Sequence, residues 1–321
     1  MKTRDMQDGK PRVLVAAPVP LELMQRIESQ YEVYPLWKEE YPNAWLAANG
    51  SGFRAVVTTG RVGANRSLID NLPNLEIIAS FSVGFDAIDL RAARAQSVVV
   101  TNTPGVLDDC VAETALGLML AVSRRICEAD RFVRAGQWEH ENFGLGRKLA
   151  GQRCGIVGMG NIGQEIAKRA EAFGVTILYH NRKLRQDLPA HYRYYDDLVS
   201  LAHESDILVI CVPGGPRTHH LVNAQVFAAM PSNAILINVA RGSVVEEAAL
   251  IAALETGQIA GAGLDVYEHE PMVSDALCGM DQVVLLPHIG SATYETRQAM
   301  AELVLKNLDC WFSNRQPVTP V

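Results

Sequence analysis

Short apolar runs recur along the chain, each followed by a polar or helically patterned stretch. Residues 12–17, 31–36, 55–58, 76–81 and 98–100 are five such runs within the first hundred residues. Runs of this kind, apolar throughout rather than alternating, predict strands buried on both faces, and the helical stretches between them predict parallel pairing through crossovers. Pro20 opens a helical pattern that continues through Ser29, and the polar residues 1–10 predict a frayed tail. Asn102-Thr103-Pro104-Gly105 breaks the pattern and marks a hinge. Beyond it, residues 108–135 predict one long helix with Val111, Ala115, Leu118, Met119 and Val122 on one face, and 135–148 is irregular. A second series of runs follows at 154–157, 175–179, 207–212, 234–239, 262–266 and 283–286. Pro287-His288-Ile289-Gly290 is a second break, and a last helix is expected over about 293–312, crossing back onto the first unit. The pattern predicts an α/β protein with two doubly wound parallel sheets.

The run at 154–157 leads into Gly158-Met159-Gly160-Asn161-Ile162-Gly163. Ile162, Ile166, Ala170 and Phe173 then recur at helical spacing, and Gly174 is placed to end the helix before the next run. Strand, glycine turn, helix and strand within about 30 residues make a dinucleotide-binding βαβ unit. Gly158 permits the tight turn, Gly160 lets a pyrophosphate approach, and Gly163 lets helix and strand pack closely. The N–H groups at the helix start, those of Asn161 and Ile162, then face the phosphates.

The end of the following run decides which dinucleotide. A free ribose 2′-hydroxyl calls for Asp or Glu about 20 residues after the first glycine. Here the chain reads His180, Asn181, Arg182, Lys183 and Arg185, with no carboxylate before Asp187. A guanidinium can take a 2′-phosphate bidentately. The expected cofactor is NADPH, with NADH used less well.

Composition narrows the remaining classes. At 321 residues the chain is long enough for two domains, and 48% apolar with 20% charged residues describes a globular protein. A net charge of −7 argues against nucleic acid as a partner. No apolar run approaches the ~20 residues of a membrane span, and residues 13–19, interrupted by Pro18, do not make a secretory signal. Six scattered cysteines without a C-x-x-C pair are expected to be reduced core thiols of a cytoplasmic protein. His219 and His220 are adjacent and no Cys/His cluster has ligand spacing, so no metal is expected. No G-x-S-x-G is present, which removes the usual serine hydrolase arrangement.

Candidate chemistry gathers after the later runs, where open α/β sheets place their ligands. Arg241 follows the run at 234–239, and its planar fork suits a carboxylate beside a carbonyl. His288 follows the run at 283–286 and suits proton donation near neutral pH. A carboxylate beside that imidazole favours its charged form. Glu268 and Glu270, in Tyr267-Glu268-His269-Glu270-Pro271, both qualify on chemistry alone.

The strands, the central glycine turn and the late Arg, Glu and His together resemble the D-isomer-specific 2-hydroxyacid dehydrogenase family over essentially the whole chain. Ser82-Val83-Gly84-Phe85-Asp86, Tyr179-His180-Asn181-Arg182 and Pro287-His288-Ile289-Gly290-Ser291-Ala292 resemble its NADPH-dependent glyoxylate and hydroxypyruvate reductases. The resemblance implies a Rossmann cofactor domain, residues 105–288, inserted into a flavodoxin-like substrate domain made of 1–104 and 289–321. It implies a homodimer held by an arm at about 105–150. It selects Glu270, because the family places its acid immediately before a proline. It assigns substrate carboxylate binding to the backbone of Val83 and Gly84, and cofactor contacts to Thr114, Val212, Pro213, Ala240 and Asp265, the last at the nicotinamide carboxamide. Trp138 is left with two roles, a neighbouring subunit's substrate pocket or an interface anchor. The implied reaction is NADPH-dependent reduction of glyoxylate or hydroxypyruvate to the D-2-hydroxy acid. The alternatives are reduction of 2-ketogluconate or another 2-keto acid, and a dinucleotide-gated binding protein resembling the family's corepressors.

Overall fold

Buried β-branched and leucine-rich runs that cannot face water on either side form two all-parallel sheets in the computed structural model, which describes residues 9–321. Most of the tail expected at 1–10 lies outside the described residues. The chain divides into two units, one comprising the residues up to Leu107 together with Thr293–Val321, the other Asp108–Ala292.

The first unit contains β1 (Arg12–Val15), β2 (Glu32–Pro35), β3 (Ala55–Thr59), β4 (Ile77–Phe81) and β5 (Val99–Thr101), in the spatial order β2-β1-β3-β4-β5. That order is the flavodoxin-like one, with its reversal between β1 and β3. The last helix, Tyr294–Asn314, packs against β4 and against the helix Leu21–Gln30. Met300, Val304, Leu305 and Leu308 are its buried face, and Arg26 forks onto Glu302 between the two helices. The C-terminal residues return to β5, where Val321 N–H donates to Val100 O and Thr319 hydroxyl to Asn102 O.

The second unit contains β6 (Arg153–Val157), β7 (Thr176–His180), β8 (Arg193–Tyr195), β9 (Ile207–Ile210), β10 (Ile235–Asn238), β11 (Gly261–Leu264) and β12 (Val283–Leu285). Their order is β12-β11-β10-β9-β6-β7-β8, so the winding reverses between β6 and β9. Ligands bind such sheets beyond the carboxyl ends of the strands at that reversal. The register keeps those ends level: Asn238 pairs with Leu264, and Leu264 with Leu285. Whatever follows β10, β11 and β12 therefore shares one edge with the turn after β6.

Four expectations need correction. The long helix over 108–135 is two helices, Asp108–Ser123 and Ile126–Arg134, because Arg125 takes a left-handed conformation at φ +54. Its guanidinium pairs with Glu128 and lies 4.5 Å from the centre of the Phe143 ring, which ties the break to the irregular segment beyond. Phe173, counted on the apolar face of the glycine-turn helix, lies past its end at Ala172 and is 45% exposed. Strand β8 escapes the apolar pattern because it is a half-exposed edge reading Arg-Tyr-Tyr. The cysteines are free but not uniformly core, since Cys127 and Cys278 are exposed.

Candidate active site

The turn after β6 is shaped by what its glycines lack. Gly158 has φ +102, and a Cβ there would lie 2.8 Å from Val212 Cγ1 and 2.9 Å from the Cys211 carbonyl oxygen. A Cβ on Gly163 would meet the Gly158 carbonyl oxygen at 2.2 Å, so this residue sets how closely the helix Asn161–Ala172 approaches β6. Nothing lies within 4 Å of the corresponding position at Gly160. That open space faces the start of a helix whose N-terminus no side chain caps. Unpaired N–H groups and the positive end of the helix dipole suit a pyrophosphate, so the residues fit a dinucleotide. Beneath the turn, burial pushes the Cys211 thiol up to about 12, and the thiol donates to the Gly158 carbonyl at 2.9 Å, a packing role rather than a reactive one.

The end of β7 divides its polar residues between structure and solvent. Asn181 Oδ1 accepts from the Met159 N–H at 2.8 Å, so its oxygen fixes the glycine turn. Arg185 donates to the Met159 carbonyl at 2.9 Å and forks onto Asp187, which spends most of its charge locally. Arg182 and Lys183 are exposed and form no hydrogen bond or ion pair with a described residue. They are the two cations at this end left for a ligand.

Three loops bring Arg241, Glu270 and His288 together. Asn238 shapes the first: its side chain accepts from Ala240 N–H at 3.1 Å and donates to the Arg241 carbonyl at 3.1 Å. Arg241 in turn donates to the Ala240 carbonyl at 2.8 Å. His288 occupies a left-handed backbone at φ +55, unusual for a side chain with a Cβ. Asp265 holds that conformation, accepting from the N–H groups of Ile289 and Gly290 at 2.7 Å each. His288 Nδ1 lies 2.8 Å from Glu270 Oε2, while Glu270 Oε1 accepts from Tyr267 N–H at 3.2 Å. The Glu270 side chain is only 16% exposed and that of His288 41%, so the imidazole turns its other nitrogen, Nε2, outward from a sheltered carboxylate.

The electrostatics follow from this arrangement. Burial pushes Glu270 up, but the hydrogen bond and charge of His288, the Tyr267 N–H and the charge of Arg241 outweigh it, and the carboxyl lies below its ordinary value. Burial dominates at Asp265 and raises it, against the pull of the Ile289 and Gly290 N–H groups. Glu268, the competing acid, points elsewhere: its Oε1 is 2.6 Å from His220 Nε2. Geometry thus separates two carboxylates that chemistry alone leaves equivalent.

The remaining expected residues are spread out. Thr114 is half-buried on the helix Asp108–Ser123 and its hydroxyl donates to the Cys110 carbonyl at 3.1 Å. Val212 is half-buried against Gly158, Pro213 is exposed, and Ala240 is buried beneath Arg241. Trp138 is 67% exposed in a short turn, Gln137–Glu139. Val83 and Gly84 follow β4 in the first unit, where the Val83 carbonyl accepts from Asn102 Nδ2 at 2.8 Å. Two positions escaped the sequence reading: Asn238, at the end of a buried strand, and Tyr267, whose hydroxyl donates to the Leu286 carbonyl at 2.8 Å and ties the Glu270 loop to the His288 loop. A buried Asn in an otherwise apolar strand was the available signal for the first.

Known proteins resemble this chain over nearly its full length. The model of the D-isomer specific 2-hydroxyacid dehydrogenase NAD binding domain matches residues 116–290. A hydroxyphenylpyruvate reductase of Plectranthus scutellarioides is 46% identical over 309 residues, covering 96% of this chain and 98% of that protein. A glyoxylate/hydroxypyruvate reductase of Arabidopsis thaliana is also 46% identical over 309 residues, with the same coverage. The crystal structure of an NADPH-dependent glyoxylate/hydroxypyruvate reductase from Sinorhizobium meliloti, in complex with NADP and malonate, superposes with a TM-score of 0.92 at 42% identity over 97% of both chains. The level strand ends, the glycine turn and these full-length matches agree, and the chain belongs to the D-isomer specific 2-hydroxyacid dehydrogenase family.

Proposed function

We propose that this chain reduces glyoxylate and hydroxypyruvate to the D-2-hydroxy acids with NADPH. The observation that carries the reading is the Arg241, Glu270 and His288 group at the strand ends, on the same sheet edge as a glycine turn followed by two free cations. When bound, a reduced nicotinamide supplies the hydride. Arg241 grips the 2-oxo acid carboxylate and polarises the adjacent carbonyl. His288 presents Nε2–H to the carbonyl oxygen and delivers the proton that the nascent alkoxide needs. Glu270, ionised and sheltered, holds Nδ1–H and stabilises the protonated ring until transfer. Asp265 acts on His288 through the backbone of the next two residues. Its assigned contact with the nicotinamide carboxamide, like those of Thr114, Val212, Pro213 and Ala240 with the cofactor, and of Val83 and Gly84 with the substrate carboxylate, belongs to the same reading.

The arm at about 105–150 supports a homodimer. The helix Ile126–Arg134 buries no side chain, and Ile126, Val133, Trp138 and Leu145 are 50%, 54%, 67% and 96% exposed. Apolar surface of that kind is suited to a second copy of this chain. No helix of the described residues is long and apolar enough to cross a membrane, and the free cysteines favour the cytoplasm as the compartment. A substrate panel tests the activity: kcat/KM with NADPH for glyoxylate, hydroxypyruvate, pyruvate, 2-ketogluconate and 4-hydroxyphenylpyruvate. The first two should lead. A clear lead for the aromatic or the sugar acid would move the substrate, and turnover of none would favour a dinucleotide-gated binding protein.

A further inference from the structure

The turn after β9 carries Thr218-His219-His220, which the reaction above does not use. Successive side chains of an extended backbone point to opposite sides, so adjacent histidines do not ordinarily share a face. Here His220 takes φ +50, a left-handed conformation that imposes strain on a residue with a Cβ. Hydrogen bonds fix the turn: His220 N–H donates to the Ser243 carbonyl at 2.9 Å, and the Thr218 hydroxyl to the Pro213 carbonyl at 2.6 Å. The two imidazoles consequently lie together, with ring centres 3.9 Å apart and planes tilted by 39°. Glu268 reaches them from the loop after β11. Among the described residues, one ligand atom of each of His219, His220 and Glu268 lies within 4.8 Å of the others.

A structural hydrogen bond accounts for His220 and Glu268, whose facing atoms are 2.6 Å apart. It does not account for His219, which is exposed, makes no hydrogen bond to a described residue, and yet is held against that pair. We propose that His219, His220 and Glu268 form a site for one divalent transition-metal ion of the zinc class. Two imidazole nitrogens and one carboxylate oxygen suit zinc, nickel or copper, whereas magnesium and calcium prefer all-oxygen shells. Ligand bonds of roughly 2.0–2.2 Å require the His220–Glu268 pair to open slightly and His220 to give up the proton it shares. A fourth position remains for water.

The second oxygen of Glu268 accepts from Glu247 N–H at 3.3 Å, an outer contact of the kind that orients a ligating carboxylate. The site is separate from His288 and Glu270 but anchored in the same loops. Gly242, next to Arg241, packs so closely that a Cβ there would lie 1.8 Å from the Tyr267 carbonyl carbon. A bound ion would staple the turn of His219 and His220 to the loop that carries Glu270. The third ligand lies 48 residues beyond His220, which is why spacing along the chain does not reveal the set.

The test uses untagged full-length protein, stripped of metal and titrated with zinc chloride against a chromogenic zinc indicator. One ion should bind per chain. His219→Ala and Glu268→Gln should each weaken zinc binding by at least about 10- to 100-fold, what even an outer partner of a metal site commonly contributes. His288→Ala should leave zinc affinity unchanged, and millimolar magnesium or calcium should not displace the ion. Zinc should raise the Tm of the wild type and not that of His219→Ala, while the two melt alike in chelator because His219 is exposed. Wild-type affinity in either ligand variant overturns the site. So does loss of binding in His288→Ala, which would put the ion on the acid–base pair, and so does the absence of a one-per-chain isotherm.

Discussion

The glycine turn after β6 and the proposed acid–base group of Arg241, Glu270 and His288, after β10, β11 and β12, lie on one edge of one sheet, and they are built in opposite ways. The turn is made of backbone. Its specificity comes from side chains that are missing at Gly158, Gly160 and Gly163, and from the N–H groups this exposes. The acid–base group is made of side chains delivered by three loops, each braced by a further hydrogen bond from Asn238, Tyr267 or Asp265. A site of the first kind fails by steric intrusion and damages the fold with it. A site of the second kind can lose its chemistry while the fold stands.

Substitutions sharpen that contrast. Arg241→Ala should have a large effect, lowering kcat/KM by about 10²–10⁴-fold, since two charge-assisted hydrogen bonds are worth about 1.5–3 kcal/mol each. KM should rise along with the fall in kcat, because the carboxylate is gripped in both ground and transition states. An unchanged KM would take Arg241 out of the substrate site. Gly163→Ala should instead cost about 1–3 kcal/mol of stability, the usual range for overpacking, because its new methyl meets the Gly158 carbonyl. NADPH affinity and thermal stability should fall together there. A variant that melts normally yet binds no NADPH would break the contrast.

Cofactor choice is the next step down. Arg182→Ala should remove most of an NADPH preference of about 10- to 100-fold, one charge-assisted interaction, while sparing activity with NADH. The preference should shrink with added salt, because the Arg182 side chain stands in solvent. Equal use of NADH by the wild type would mean that Arg182 makes no phosphate contact.

The smallest effect is a displaced pH profile. Against burial, the hydrogen bond and charge of His288 hold Glu270 below its ordinary value, so the carboxylate stays ionised through neutral pH and is neutralised only as pH falls through the carboxylate range, below about 4.5. With His288 as the proposed proton donor, reduction should fade as pH rises. Glu270→Gln removes the partner charge, and the alkaline limb of the kcat profile for reduction should move down by about one unit or more. An unmoved limb would indicate that the carboxylate does not face the reacting ring.

The same contrast explains what could be read from residues alone. The glycine turn is local in sequence, so strand, spacing and helix signal it within about 30 residues. The placement of Arg241 and His288 was legible because each follows an apolar strand at its carboxyl end, where parallel sheets collect ligands. What closes the group was not legible. Glu268 and Glu270 differ by two residues in one loop, and only the fold turns one to His220 and the other to His288. The left-handed backbones at Arg125, His220 and His288 carry no composition signal, since none is glycine. Edge strand β8 was missed for a related reason: a half-exposed strand needs no apolar run.

The proposed proton donor, His288, is the most direct point of attack. NADPH oxidation with hydroxypyruvate, followed for wild type and His288→Ala beside a fluorescence titration of NADPH binding, isolates it from everything the glycine turn supplies. In His288→Ala, kcat should fall by about 10²–10⁴-fold, the contribution typical of a positioned acid, with NADPH affinity unchanged. Turnover close to wild type, or an NADPH affinity that falls in step with kcat, would contradict that assignment.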